Sequence, residues 1–267
     1  MRKIYVKLIG GLGNQLFQYA AAQMISDSVG GHILYDVGFY SQKHSNTTPR
    51  TYELCKFPTI DHEKSCEKSD FIELNDSNYN WLNYQEVFSK LNANNKNAYL
   101  SGYFQSYSLT KSLSIDKFFS PNKGVVCPAR NACVHIRRGD YVSNKGTNSY
   151  HGVLPVNYYQ KAIDLITNEI DSVCVFSDDM GWCKQNLSFK KEIIFNESSS
   201  NADDLIKMSQ FKHLVIANSS FSWWAARFAE LKGLNPAVIA PGPSLWYNND
   251  TSKAQSLYPS NWLKIER

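Results

Sequence analysis

The stretch CVHIRRGDYV, residues 133–142, begins as a strand with the apolar content of a buried one and then sets two arginines, a glycine and an aspartate in a row. Side chains alternate along a strand, so Cys133, His135 and Arg137 share one face while Val134, Ile136 and Arg138 share the other. Charge gathered at the carboxyl end of such a strand is what an anion waiting beyond the strand end would call for. Working outward, strand and helix alternate. VNYYQKAIDLITNEI, preceded by Pro155, has helical apolar spacing, and SVCVFSDD (172–179) is a strand ending in acids. DDLIKMSQF (203–211) is a short helix, HLVIANSS (213–220) a strand, FSWWAARFAELK a helix stopped by Gly233, and AVIAPG one more strand. The residues just after Tyr141, rich in Asn, Ser and Gly, read as a loop. This alternation predicts an α/β fold with a doubly wound parallel sheet.

The N-terminal part repeats the theme. RKIYVKLIG, GLGNQ and LFQYAAAQMISDSVG read as strand, glycine loop and helix, with Gly30 and Gly31 ending the helix and HILYD (32–36) following as a strand. Between about 41 and 98 the pattern weakens into polar, aromatic-sprinkled sequence of surface segments and short helices. AYLSGYFQSYSLT (98–110) regains strand character, and SPNKG (120–124) is a turn-rich boundary.

A chain of 267 residues accommodates two domains, and 43% hydrophobic with 19% charged residues describes a soluble globular protein. The net charge of +4 comes without a basic run interleaved with aromatics, so no nucleic-acid partner is expected. Lys7, Asn14, Gln15 and Gln18 interrupt the first apolar stretch too often for a secretion signal, and no stretch reaches about 18 apolar residues, so a cytoplasmic protein without its own anchor is expected. Cys55, Cys66, Cys127, Cys133, Cys174 and Cys183 form no C-x-x-C pair, which favours reduced thiols. Sequons at Asn46, Asn75, Asn186, Asn196, Asn218 and Asn249 argue against a secretory route.

Three strand ends carry polar residues that should converge on one crevice: Arg137 to Asp140, Ser177 to Asp179, and Asn218 to Ser220. Ser219 and Ser220 precede a helix whose unpaired N–H groups suit an anion, although they also read as plain N-caps. Guanidinium forks match phosphate oxygens, so Arg137 and Arg138 fit a diphosphate; an ion pair with Asp140 or Asp178 is the competing reading. His135 reads either as a core histidine or as a ligand contact on the face of Arg137. GGLGN, with Gly11, Gly13 and the later Asp36, is half of a dinucleotide fingerprint, which opens a nucleotide-dependent oxidoreductase or epimerase as an alternative. Leu16 stands where that fingerprint wants Gly or Ala. No D-x-D and no close histidine spacing point to a metal site, so no metal and no cofactor are expected. The adjacent pairs Asp178–Asp179 and Asp203–Asp204 read as caps or surface charges. Trp223 and Trp224 fall at helical spacing as core residues.

Together GGLGNQLFQYA, GYFQS, HIRRGDYV, HGVLPVNYYQKAI and ANSSFSWWAA resemble the family-11 α-1,2-fucosyltransferases, in order and spacing, across both halves of the chain. VIAPGPSLWY and YPSNWLKIE look like that family's closing segments; residues 41–98 carry no such resemblance. The resemblance implies a GT-B-like fold of two Rossmann-type domains facing a cleft, placed here as residues 1–125 on the acceptor side and 126–267 for the donor. It implies GDP-β-L-fucose as donor substrate and metal-independent, inverting transfer to the 2-hydroxyl of a terminal β-galactoside. The acceptor it implies is a galactose-terminated oligosaccharide or lipid-linked glycan of a bacterial surface, with the enzyme peripheral at the inner membrane. By the same resemblance Arg137 holds the diphosphate with His135 and Arg138 beside it, Asp204 reads guanine, and Ser219, Ser220 and Phe221 lie at the phosphate. Gly11, Asn14 and Gln15 carry the N-terminal turn that approaches fucose and diphosphate. Asp140 is the candidate base, its other reading being a salt bridge that orients Arg138.

Overall fold

The computed structural model describes residues 1–42, 48–61, 63–65, 69–77, 84–119, 130–197, 200–248 and 251–266. The chain divides into two compact units, Met1–Lys123 and Gly124–Arg267. The expected turn at 120–124, together with His44, His62, Cys66, Cys127 and the sequons at Asn46 and Asn249, lies outside the described residues.

In the first unit the described elements run β1 (Lys3–Lys7), α1 (Leu12–Val29), β2 (His32–Asp36), β3 (Phe71–Asn75), α2 (Gln85–Asn94) and β4 (Asn97–Ser101). The strands form one sheet of order β2-β1-β4-β3, every pairing parallel. β1 is central, so its Ile4, Tyr5 and Val6 are buried. α1 ends where Gly30 takes φ +70, and its N–H bonds the Ser26 carbonyl, a left-handed cap that suits glycine. The strand expected over 98–110 ends already at Ser101, because the Asp76 carboxylate accepts from the N–H groups of Tyr103 (2.7 Å) and Phe104 (3.2 Å) and turns the chain out of the ladder.

The second unit contains β5 (Asn131–Ile136), α3 (Gly139–Ser143), α4 (Lys145–His151), α5 (Val156–Ile166), β6 (Ser172–Ser177), α6 (Met180–Asn186) and β7 (Glu192–Phe195). It continues through α7 (Asn201–Met208), β8 (His213–Val215), α8 (Ser220–Leu231), β9 (Ala237–Pro241), α9 (Pro243–Trp246) and β10 (Leu263–Ile265). The sheet order is β10-β9-β8-β5-β6-β7, all parallel. The chain therefore starts in the middle, steps outward to β7, returns beside β5 as β8 and steps outward the other way. That is the doubly wound order, with its reversal between β5 and β8. Ala132, Val134 and Ile136 of β5 join Tyr158, Ala162, Ile163, Val173, Val175 and Val215 in one core cluster, and Trp223, Trp224 and Phe228 are wholly buried, as their helical spacing predicts.

Two sequence expectations change here. The stretch after Tyr141 is not a loop but the two short helices α3 and α4, separated by Asn144, whose side chain accepts from the Thr147 N–H at 3.0 Å and caps the second. The strands β3, β7 and β10, which the sequence reading leaves out, are short edge strands, where one neighbour and partial burial leave little hydrophobic pattern. Cys55, Cys133, Cys174 and Cys183 are free thiols. Among the described residues no helix is long and apolar enough to cross a membrane.

Candidate active site

The reversal between β5 and β8 puts the ends of three adjacent strands on one edge of the second sheet, and the polar residues singled out from the sequence stand there. Arg137, just past β5, holds two carboxylates: its Nη1 pairs with Asp178 Oδ2 at 2.7 Å and its Nη2 pairs closely with Asp140 Oδ1. The guanidinium also lies 5.4 Å from the centre of the Tyr141 ring. All three charged side chains are partly shielded, with exposures of 18% for Arg137, 10% for Asp140 and 28% for Asp178. The expected alternative, Asp140 orienting Arg138, is corrected: Asp140 pairs with Arg137, which stands between the end of β5 and the start of α3, while Arg138 pairs with Asp179.

Arg138 instead lies flat on Trp182, with Cζ 3.7 Å from the ring centre, and its Nε donates to Asp179 Oδ2 at 3.1 Å. Asp179 is a cap, as the sequence suggests, accepting from the Trp182 N–H at 3.1 Å through its other oxygen. Asp178 is more than a surface charge. Its Oδ1 accepts from the main-chain N–H of Arg138 at 2.8 Å while Oδ2 faces Arg137. The carboxylate occupies the space where a side chain on residue 139 would begin, so glycine stands there for close approach rather than for an unusual backbone angle.

Across the reversal, Ser219 caps α8, its hydroxyl accepting from the Phe221 N–H at 3.3 Å, and Ser220 begins the helix, so the cap reading is realised at Ser219. His135 is buried against Phe221, ring centres 5.4 Å apart, and its Nδ1 has no hydrogen-bond partner. Burial first and the Arg137 charge second press its pKa down to about 3, so it is neutral at physiological pH. A knot that the sequence did not suggest joins the two sides. Tyr141 donates its hydroxyl to the Asn218 carbonyl at 3.0 Å and stacks face to face on His151 at 4.8 Å. Asn218 donates its amide to the carbonyls of His151 (3.1 Å) and Gly152 (3.2 Å). The only sequence signal for this knot is that its members fall within HIRRGDY, HGVLP and ANSS.

Asp204 stands in the first turn of α7, beyond β7 on the same edge, where its Oδ1 accepts from Asn196 Nδ2 at 2.7 Å. The helix that carries Asp204, α7, packs against the serine-headed helix α8.

Gly11, Asn14 and Gln15 belong to the first unit. The Gly11 carbonyl accepts from the N–H groups of Asn14 (2.9 Å) and Gln15 (3.1 Å), and Asn14 Oδ1 accepts from Gln105 Nε2 at 2.9 Å, joining GGLGN to GYFQS. Gln15, expected to reach the ligand, is fully buried and its amide is used inside the unit. Nε2 donates to the carbonyls of Gly10 (3.2 Å) and Thr51 (2.8 Å), and Oε1 accepts from the N–H groups of Glu53 and Leu54, both at 2.9 Å. That fills its two donors and both acceptor positions, so Gln15 shapes the turn.

Among the described residues no group of three or more His, Cys, Asp or Glu is gathered to hold a metal ion. A cavity of about 290 Å³ in the second unit, lined by His151, Leu154, Tyr158, Lys161, Leu245 and Glu266 among others, adjoins the knot through His151.

The family model for glycosyl transferase family 11 matches residues 1–266. An Escherichia coli α-1,2-colitosyltransferase is 30% identical, covering 100% of both chains. The O-antigen biosynthesis glycosyltransferase WbnK of Escherichia coli is 29% identical over 98% of this chain and 100% of its own length. The galactoside 2-α-L-fucosyltransferase SEC1 of Bos taurus is 36% identical over 38% of this chain and 29% of its own.

Proposed function

The chain belongs to glycosyl transferase family 11, and from that premise we propose that it moves L-fucose from GDP-β-L-fucose to the 2-hydroxyl of a terminal β-galactoside, inverting the anomeric carbon and using no metal. The observation that carries this reading is the placement of Arg137 and Arg138 at the sheet reversal, next to the strand that leads into the serine-headed helix, on which the helix of Asp204 packs. Arg137 takes the diphosphate, flanked by Arg138 and by Ser219, Ser220 and Phe221 at the N-terminus of α8, where main-chain N–H groups favour an anion. Neutral His135 backs Phe221 beneath them. Asp204 binds guanine. Gly11 and Asn14 belong to the first unit, which we assign to the acceptor side.

In the reaction the acceptor oxygen forms a bond to fucose C1 from the face opposite the leaving group. The C1–O bond breaks with its electron pair passing to the GDP diphosphate, and the acceptor proton passes to a carboxylate, Asp140. Negative charge grows on the diphosphate as C1 detaches, so fixed cations and N–H donors aimed there lower the barrier.

The name of WbnK supports a surface glycan of the O-antigen kind as acceptor; we assign it a galactose terminus, free or lipid-linked, and place the protein in the cytoplasm, peripheral to the membrane. A second donor, GDP-colitose, is favoured by the full-length likeness to an α-1,2-colitosyltransferase. The oxidoreductase or epimerase alternative loses its footing, since Asp36 of its fingerprint accepts from the Gly38 N–H and the Tyr99 hydroxyl and the family match runs through both units.

The deciding experiment incubates the protein with GDP-fucose or GDP-colitose and a panel of β-galactosides in EDTA, and assigns the product linkage. An α-1,2-fucosyl product with released GDP is expected, and none with Arg137→Ala. Transfer of colitose alone, a different linkage or a requirement for divalent metal would each overturn part of the reading, and unchanged turnover in Arg137→Ala would remove that residue from it.

A further inference from the structure

Along its β6 side the ladder of β5 runs to the pair Ile136 and Ser177, but along its β8 side the last register pair is Val134 and Val215. Past that pair the two chains part, and the opening between them is the crevice in which such sheets take ligands. Arg137 stands on the β5 side of it, and Ser219 and Ser220 head α8 on the other. A single phosphate can be met from one side alone. On the donor reading above, two linked phosphates engage both, so their affinity depends on how firmly the two sides are held at one separation.

Side chains take over from the ladder there. The Tyr158 hydroxyl of α5 donates to the Ile216 carbonyl at 2.7 Å, just past β8. Farther out, at the mouth of the crevice, stands Tyr141 of α3, itself buried. Its hydroxyl crosses to the Asn218 carbonyl at 3.0 Å, on the residue just before the cap Ser219. Its ring lies 5.4 Å from the Arg137 guanidinium and 4.8 Å from the His151 ring, the latter two planes only 6° apart. The Asn218 amide closes the circuit by donating to the carbonyls of His151 and Gly152. One side chain therefore touches both the cation and the backbone that leads into the helix.

Resting on that donor reading, we propose that Tyr141 is a positioning residue that fixes the separation between Arg137 and the N-terminus of α8, and with it the fit of the site to two linked phosphates rather than one. It acts through the guanidinium and the helix. With phenylalanine at 141 the ring keeps its packing on His151 and Arg137, but the crosslink to Asn218 is gone and the crevice is free to widen. Binding a diphosphate then has to order both sides at once, whereas a monophosphate held from one side does not.

Tyr141→Phe tests this through the ratio of GDP to GMP affinity, measured by calorimetry on the whole chain near neutral pH. GDP binding should weaken about fivefold, the worth of one hydrogen bond, and GMP binding by less than about twofold. A lower Tm with the ratio unchanged shows a tyrosine that only stabilises the fold, and the proposal fails. Tyr158→Phe is the control, since it removes a hydroxyl bond to the same segment away from the arginine. It should lower Tm and leave the ratio intact; an equal fall in the ratio overturns the proposal by showing that any loosening of the segment suffices. If Tyr141→Phe does not fold, His151→Leu takes its place. That variant removes the ring stacked on Tyr141, leaves the Asn218 amide bonds, which end on main-chain carbonyls, and changes no charge, because burial keeps His151 neutral. Its ratio should fall about threefold, as for a lost aromatic pair, and an unchanged ratio refutes the proposal. Wild type that binds GDP no more tightly than GMP removes the two-phosphate donor reading itself, whereas a preference for GDP that survives intact in Tyr141→Phe removes the role of Tyr141 alone.

Discussion

Replacing Gly139 by alanine probes the edge without touching a charged group. The backbone at 139 is not in the left-handed region, so alanine is conformationally allowed, and as the first residue of α3 it should gain up to about 1 kcal/mol of helix propensity. Against this, the new methyl takes the space of the Asp178 carboxylate. Asp178 is short and can turn away, so the cost is the loss of its bonds rather than a steric clash. The N–H of Arg138 loses a charged acceptor at 2.8 Å, worth about 1.5–3 kcal/mol, and the Arg137 pair at 2.7 Å, discounted because Asp178 is 28% exposed, adds at most about 1 kcal/mol. The balance is a destabilisation of about 1–3 kcal/mol, a fall of roughly 2–10 °C in Tm for a chain of this size. Thermal melts should be run in two backgrounds. In Asp178→Ala the same substitution should cost nothing or stabilise, because the bonds it would break are already gone. An equal loss of Tm in both backgrounds would refute the account of why glycine is there.

On the proposal that Asp204 binds guanine, Asp204→Ala should raise the GDP-fucose KM about tenfold or more with kcat little changed; steady-state kinetics at varied donor checks this, and a fall in kcat alone would contradict it. The buried histidines predict acid sensitivity. His135 and His151 are pressed down to about 3 and about 4, chiefly by burial, while an unfolded histidine titrates near 6.5. The native state then binds fewer protons than the unfolded one below pH 6.5, so stability is full above that pH and declines as pH falls toward 4 and 3, by up to about 1.4 kcal/mol per pH unit for each group. Urea midpoints between pH 7 and pH 5 should show the decline, and His135→Gln should flatten it; an unchanged slope would count against a neutral His135.

Much of the second unit is legible in sequence because the deciding signals are local. The charged end of β5, the serine before α8 and the glycine that stops it are each written within a few residues. What stays hidden depends on neighbours far apart in the chain. That Asp178 bridges Arg137 and the Arg138 amide follows only once β5 and β6 are known to be adjacent, and Trp182 under Arg138 needs α6 placed behind that strand end. The composition of residues 142–151 says loop, yet one capping asparagine splits it into two helices. The edge strands β3, β7 and β10 carry too few buried positions to announce themselves.

The amide of Gln15 bears on how such a fold tolerates change. The groups it bonds on its neighbours in the turn and in the segment, the carbonyls of Gly10 and Thr51 and the N–H groups of Glu53 and Leu54, are main chain, which every residue type but proline offers alike. A clasp of that kind is blind to the letters it holds. The segment around 51–54 is free to drift in sequence while its path stays pinned to the glycine turn, which accounts for an ordered stretch sitting where the sequence reads as featureless. The constraint is transferred to position 15, where glutamate, identical in shape but lacking the two donors, would leave the carbonyls of Gly10 and Thr51 facing a carboxylate oxygen.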